Sequence, residues 1–153
     1  MLEKIENQTI LKGKFFHIIA MTPFLVIILY LSFRFKQLIC DFLLQTEWMA
    51  LNKSAPGKEG YKALFTHTSI HGAGTAIVML VFAPGLVWLG FVDFIIHSLI
   101  DRTKGVLVRK RGWTPKDTFF WWAFGIDQEA HSLTHLIYLI VVVIYKGGLV
   151  LGA

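Results

Sequence analysis

Cysteine is almost absent. Cys40 is the single one in 153 residues, which excludes an internal disulfide and a multi-cysteine metal site. Charge is scarce as well: 16% of the residues are charged, whereas ordinary soluble domains carry about 25%. Together with 55% hydrophobic residues and a mean hydropathy of +0.59, this balance points to a membrane protein and away from an unusually apolar soluble domain. Several chemical signatures are missing. There is no phosphate-binding loop, no dinucleotide fingerprint and no HExxH. Ser69, Ser98 and Ser132 stand near histidines, but none has a nucleophile-elbow context. The formal charge of +5 comes from basic residues gathered between apolar segments, not interleaved with a nucleic-acid motif, so nucleic acid is not an expected partner.

What the chain does have is long apolar stretches. Residues 1–14 are a short, fairly polar N-terminal segment, 15–146 a single transmembrane helical domain, and 147–153 a C-terminal tail. The apolar run that follows Lys12 and Lys14 is too long for a signal peptide and lacks a clean cleavage site. The stretch from Phe15 to Leu44 exceeds the roughly 20 residues that a bilayer core needs. It reads either as one long helix, kinked early by Pro23, or as a span over 15–33 followed by an interfacial helix over 35–50, since Arg34 and Lys36 interrupt it. A polar loop over 50–63 carries the turn signal Pro56-Gly57. The run from Leu64 to Ile100 is too long for one span and divides at Pro84-Gly85 into two antiparallel spans. A strongly basic loop over 101–117 follows, with Thr114 and Pro115 expected to open the next helix. The aromatic group Phe119–Phe124 precedes a last span over 128–145. The expected fold is all-α: an integral membrane helical bundle of about four transmembrane helices plus one or two short interfacial helices.

Within these apolar segments an ionisable residue is repeatedly followed, four places later, by another. Asp127, His131 and His135 form one set; His67 and His71, Asp93, His97 and Asp101, and Asp41 with Gln45 form the others. Four residues is about one helical turn, so each set lines one face of its helix. Such groups are costly in lipid unless they face one another, water or a metal. Four alternating spans bring the end of the first, the start of the second, the end of the third and the start of the fourth to one membrane face. Those are the places where the sets occur. Lys53, Lys58, Lys62 and the six basic residues of 102–116 lie on that same face, which the positive-inside rule assigns to the cytoplasm of a bacterial inner membrane.

Imidazole and carboxylate groups suit a divalent ion, with Zn the first choice and Mn or Fe as alternatives. The expected ligands are His67, His71, His97, Asp101, Asp127 and His131. Asp41 and Glu129 are candidates for a catalytic base. Gln45, Asp93 and His135 are expected to hydrogen-bond the ligands from behind.

The pieces CDFLLQTEWMALNK (40–53), THTSIHG (66–72), HSLIDRTK (97–104) and FGIDQEAHSLTH (124–135) resemble the DUF3307 family of small bacterial and phage integral membrane proteins of unknown function. In that family a histidine often stands a few residues before the Asp-Phe pair. Here Lys36-Gln37-Leu38-Ile39-Cys40 occupies that place, so this ligand is missing or replaced. The resemblance implies a shared polar site and no established reaction. The site is also distantly similar to those of membrane-bound metal-dependent hydrolases.

Three functions are therefore in view. The leading one is a metal-dependent membrane hydrolase acting on a phospholipid, a polyprenyl phosphate or another membrane-associated ester. The others are a structural or accessory protein with a polar or metal-stabilised core, and a transporter of metal ions or protons. Expected partners are a membrane lipid or lipid-linked substrate, a second copy of the chain, or a larger membrane protein.

Overall fold

A computed structural model describes residues 21–147. Residues 1–20 and 148–153, with the expectations for the N-terminal segment and most of the C-terminal tail, lie outside the described residues. Among those described there are helices and turns and no β-sheet.

Helix α1 spans Pro23–Leu38, with Thr22 as its N-cap accepting from the Leu25 amide. Pro23 therefore opens this helix and does not kink it, because its missing amide hydrogen falls where none is needed. A single π-helical turn, Ile39–Leu43, continues α1 and closes with the Leu44 amide donating to the Ile39 carbonyl over 2.9 Å. The short helix α2, Glu47–Asn52, is capped by Thr46. Helix α3 runs from Gly57 to Phe82, so most of the expected polar loop is already helical. A 3-10 turn, Pro84–Leu86, reverses the chain into α4, Leu89–Arg111.

The expected basic loop is largely the second half of α4. Its charges are spaced along a solvated helical face, and a charge run by itself does not end a helix. The helix stops at Gly112, which adopts φ 66°, while the Gly112 and Trp113 amides donate back to the Arg109 and Val108 carbonyls. Thr114 does not cap the last helix. Its amide and hydroxyl both donate to the Asp117 carboxylate, closing a tight turn and holding that carboxyl below its ordinary range. Helix α5 then spans Thr118–Tyr145, and the aromatic group forms its first two turns.

The four long helices close into a ring in which α1 packs on α3 and α5, α3 on α4, and α4 on α5. Three stretches, Pro23–Leu43, α3 and α5, are long and apolar enough to cross a membrane. Helix α4 matches them in length, but its C-terminal half is charged. The outside of the bundle is apolar: Phe24, Ile27, Ile77, Val81, Leu133 and Ile144 are all exposed. Such a surface belongs in lipid.

Inside, the two ends differ. Leu29, Phe33, Met79, Leu86, Leu89 and Val142 fill the end at the Pro84–Leu86 turn, and the polar residues fill the other. Helices α3 and α4 approach most closely where Gly72 faces Gly90. A Cβ on Gly90 would stand 2.6 Å from the Gly72 carbonyl oxygen and 2.8 Å from the Ala76 Cβ. Small residues are what such a crossing requires. Gly90→Val is expected to lower stability by about 1–3 kcal/mol through overpacking, measured as a lower thermal midpoint in detergent. An unchanged midpoint would mean that the helices separate freely here.

Candidate metal centre

The i, i+4 pattern does what its spacing predicts. His67 and His71 face inward from α3, His97 and Asp101 from α4, and Asp127 and His131 from α5; all six are buried. Asp41 enters from the π-helical turn of the first helix, and its side chain is 14% exposed. The extra backbone residue of a π turn re-aims side chains locally, which is why such turns recur at functional sites. Here Asp41 points in while its neighbours Phe42 and Leu43 stay exposed.

The donors form two groups that share His97. One contains Asp41, His67, His71 and His97; the other contains His97, Asp101 and His131. Within each, the ligand atoms lie within 4.8 Å of one another. Asp41 Oδ1 is 3.1 Å from His71 Nε2 and 3.5 Å from His67 Nε2. Asp101 bridges the groups, with Oδ2 3.2 Å from His67 Nε2 and Oδ1 3.4 Å from His131 Nε2. Three imidazoles stack in a column: the His71 and His97 ring centroids are 3.6 Å apart, those of His97 and His131 3.8 Å.

His97 lies at the middle of this column, and neither of its ring nitrogens has a hydrogen-bond partner among the described residues. Leaving one buried polar atom unpaired costs about 1–3 kcal/mol. In native proteins most such atoms find a partner, an ordered water or an ion included. The donor set fits a divalent ion: imidazole and carboxylate are ligands of Zn, Mn and Fe, and two buried His/Asp groups able to chelate one are present.

Two lysines complete the polar end, and the sequence pattern did not single them out as partners. Lys53 Nζ donates to Gln45 Oε1 over 2.9 Å, and lies 2.7 Å from Asp101 Oδ2 and 3.1 Å from His67 Nε2. Gln45 thus reaches the histidines only through Lys53. The carbonyls of the 53–55 segment accept hydrogen bonds from Arg102 and Arg109, so the basic half of α4 holds Lys53 over the centre. Lys104 Nζ is 3.3 Å from Asp127 Oδ2.

Three expectations need correction. Asp127 stands beside the centre, not within either donor group; it lies 3.8 Å from His131 Nε2 and is held by Lys104. Glu129 is not gathered with the others. Two residues turn a helix by about 200°, so it is exposed beside Trp121, Trp122 and Leu133 on the far side of α5. Asp93 and His135 do not support the ligands. They form a separate cluster deeper in the bundle with Lys36, whose Nζ is 2.7 Å from Asp93 Oδ2 and 3.3 Å from His135 Nε2. The Thr75 hydroxyl donates to the same carboxylate oxygen over 2.8 Å, and Phe33 stacks on His135.

Lys36 pairs with Asp93, and Gln37 donates to Asp41 Oδ2. The model of the family of proteins of unknown function DUF3307 matches residues 25–149. The chain belongs to this family. The match takes in α1 from Leu25 onward, the other long helices of the bundle and all residues of both donor groups. Comparison of this DUF3307 protein with curated proteins and with solved structures gives no match.

A cavity of about 350 Å³ leads from Asp41, Asp101, Asp127 and His131 past Lys53 and Lys104 to the aromatic turns of α5 at Phe120 and Phe124. The centre of this DUF3307 protein is therefore buried within the bundle but has a polar route to its mouth.

Proposed function

We propose that this DUF3307 protein is a membrane-embedded accessory or scaffold protein whose bundle is held closed by a divalent metal ion, with Zn favoured over Mn or Fe. The observation that carries this reading is His97, buried between His71 and His131 with both nitrogens unpaired. One donor group draws on the turn after α1, α3 and α4 and the other on α4 and α5, so an ion in either would join elements far apart in sequence. A tetrahedral site with bonds of about 2.1 Å sets its donors roughly 3.4 Å apart, and several of the pairs above already have that spacing. In this reading the polar end, which carries Arg109, Lys110 and Arg111, faces the cytoplasm of a bacterial inner membrane.

A second reading is favoured by the cavity. A divalent ion held by either donor group would supply Lewis acidity and an activated water for hydrolysis of a phosphoester or acyl ester, and Asp127, which lines the cavity outside both donor groups, is placed to hold a proton. Transport has less support. Among the described residues, packed apolar side chains lie beyond Lys36, Asp93 and His135, and no polar path continues past them.

Elemental analysis of detergent-purified protein tests the main reading. The parent chain is expected to hold one or two equivalents of Zn, Mn or Fe, and His131→Ala to hold less. A folded parent that takes up no divalent ion would remove the proposal. Assaying the same two samples for release of phosphate or fatty acid from lipid esters tests the second reading, which predicts turnover in the parent alone.

A further inference from the structure

A second cavity, of about 370 Å³, runs between α4 and α5 on the outside of the bundle. Its walls are Leu99, Ile100, Leu107, Ala123, Ile126 and Ala130, and Leu99 and Ile126 are exposed on the lipid-facing surface. This groove is apolar except where Thr103, Lys104 and Asp127 line it. Lys104 and Asp127 also line the polar cavity that leads to the metal centre. An apolar slot open to lipid thus meets a charged chamber at a shared lysine. Both volumes lie in the range of ligand sites, roughly 300–1,000 Å³.

Position agrees with an amphiphile. Lys104 lies two turns, about 10 Å, below the basic end of α4 at Arg111. Trp121 and Trp122 are exposed on the neighbouring turns of α5, as residues at the headgroup level are.

Charge decides which amphiphile fits. Asp41, Asp101 and Asp127 line the polar cavity against Lys53 and Lys104, leaving one net negative charge. A divalent ion on the donor groups reverses this to one net positive charge. Without the ion the chamber repels an anion; with it, the chamber attracts one.

We infer that the groove and the chamber form one binding site for an anionic phospholipid, with an acyl chain between α4 and α5 and the phosphate at Lys104, and that this site accepts its ligand only when the metal is bound. The inference rests on the metal reading above and names the partner that the metal-loaded form would hold.

Photo-crosslinking tests it. The full chain is placed in phosphatidylcholine nanodiscs with a trace of either phosphatidic acid or phosphatidylcholine carrying a diazirine in mid-chain. Zn²⁺ or a chelator is added, and the metal content of each sample is measured. With Zn²⁺, labelling over 99–107 and 123–130 is expected to favour phosphatidic acid about fivefold, the factor one interfacial basic residue supplies. The chelator should abolish the preference, and Lys104→Gln should reduce it. Ala130→Leu, or the smaller intrusion Ala123→Leu, should lower groove labelling by both lipids. Equal labelling by the two lipids in a sample that holds metal would overturn the lipid site alone. A sample that binds no metal would overturn both this inference and the reading on which it rests.

Discussion

Replacing His97 by phenylalanine is expected to abolish metal-dependent stabilisation while leaving the metal-free bundle at least as stable as the parent. The argument is one of unpaired atoms. In the metal-free chain His97 places two polar nitrogens in a buried column without partners among the described residues. Phenylalanine keeps a flat ring between His71 and His131 and removes both nitrogens, which is worth about 1–3 kcal/mol for each unpaired atom relieved. With metal present the order reverses. An ion that binds only the folded parent stabilises it by about 4 kcal/mol when free ion is a thousandfold above the dissociation constant. His97→Phe leaves each donor group a ligand short and should lose most of that gain. Thermal unfolding in detergent, with Zn²⁺ and with chelator, gives the four numbers needed. Equal stabilisation of parent and variant by Zn²⁺ would show that His97 is not a ligand. His97→Leu offers the same comparison should the larger ring not be accommodated.

The second large effect concerns the deeper cluster. Lys36 and Asp93 are both buried, 2.7 Å apart, in the part of the bundle that faces lipid on its outside. Removing one partner of a buried pair strands the other charge and typically costs 3–5 kcal/mol, roughly. Asp93→Ala is therefore expected to destabilise strongly, since Thr75 and His135 cannot neutralise the ammonium group. Replacing both residues together, as Lys36→Leu with Asp93→Leu, should return stability to near the parent value or above it. The double-mutant cycle, read by denaturant unfolding in micelles, isolates the coupling. If the two single losses simply add in the double variant, the pair is not an energetic unit.

Much of this site was legible before any coordinates. Helical periodicity alone places His67 with His71, His97 with Asp101 and Asp127 with His131, because four residues is nearly a full turn. The alternation of spans then carries these pairs to one end. What the pattern misjudged depends on contacts between elements distant in the chain. Lys36 inside an apolar stretch looks like the end of a span, since only the folded bundle shows Asp93, 57 positions later, as its partner. A partnerless acid at Asp93 was the available signal, and the two could have been paired on cost alone. Lys53 and Lys104 resembled solvated loop charges for the same reason.

The helix ends were less legible still. The charges of 101–111 suggested a loop, whereas Gly112 alone marks the stop. Glu129 follows Asp127 by two positions, which on a helix is nearly the opposite side, so its offset from the Asp127–His131 face is already visible in the spacing and the structure leaves it exposed.

The tight turn at Pro84–Leu86 has a consequence for how the protein is assembled. Helices α3 and α4, joined by that turn, carry His67, His71, His97 and Asp101. These neighbours meet as a hairpin with little chain entropy to lose. During synthesis they can enter the bilayer as a unit, with Asp41 already made and α5 still inside the ribosome. Five of the six donors, Asp41, His67, His71, His97 and Asp101, are then in place before α5 is made. The arrival of His131 on α5 is then the event that completes the second donor group.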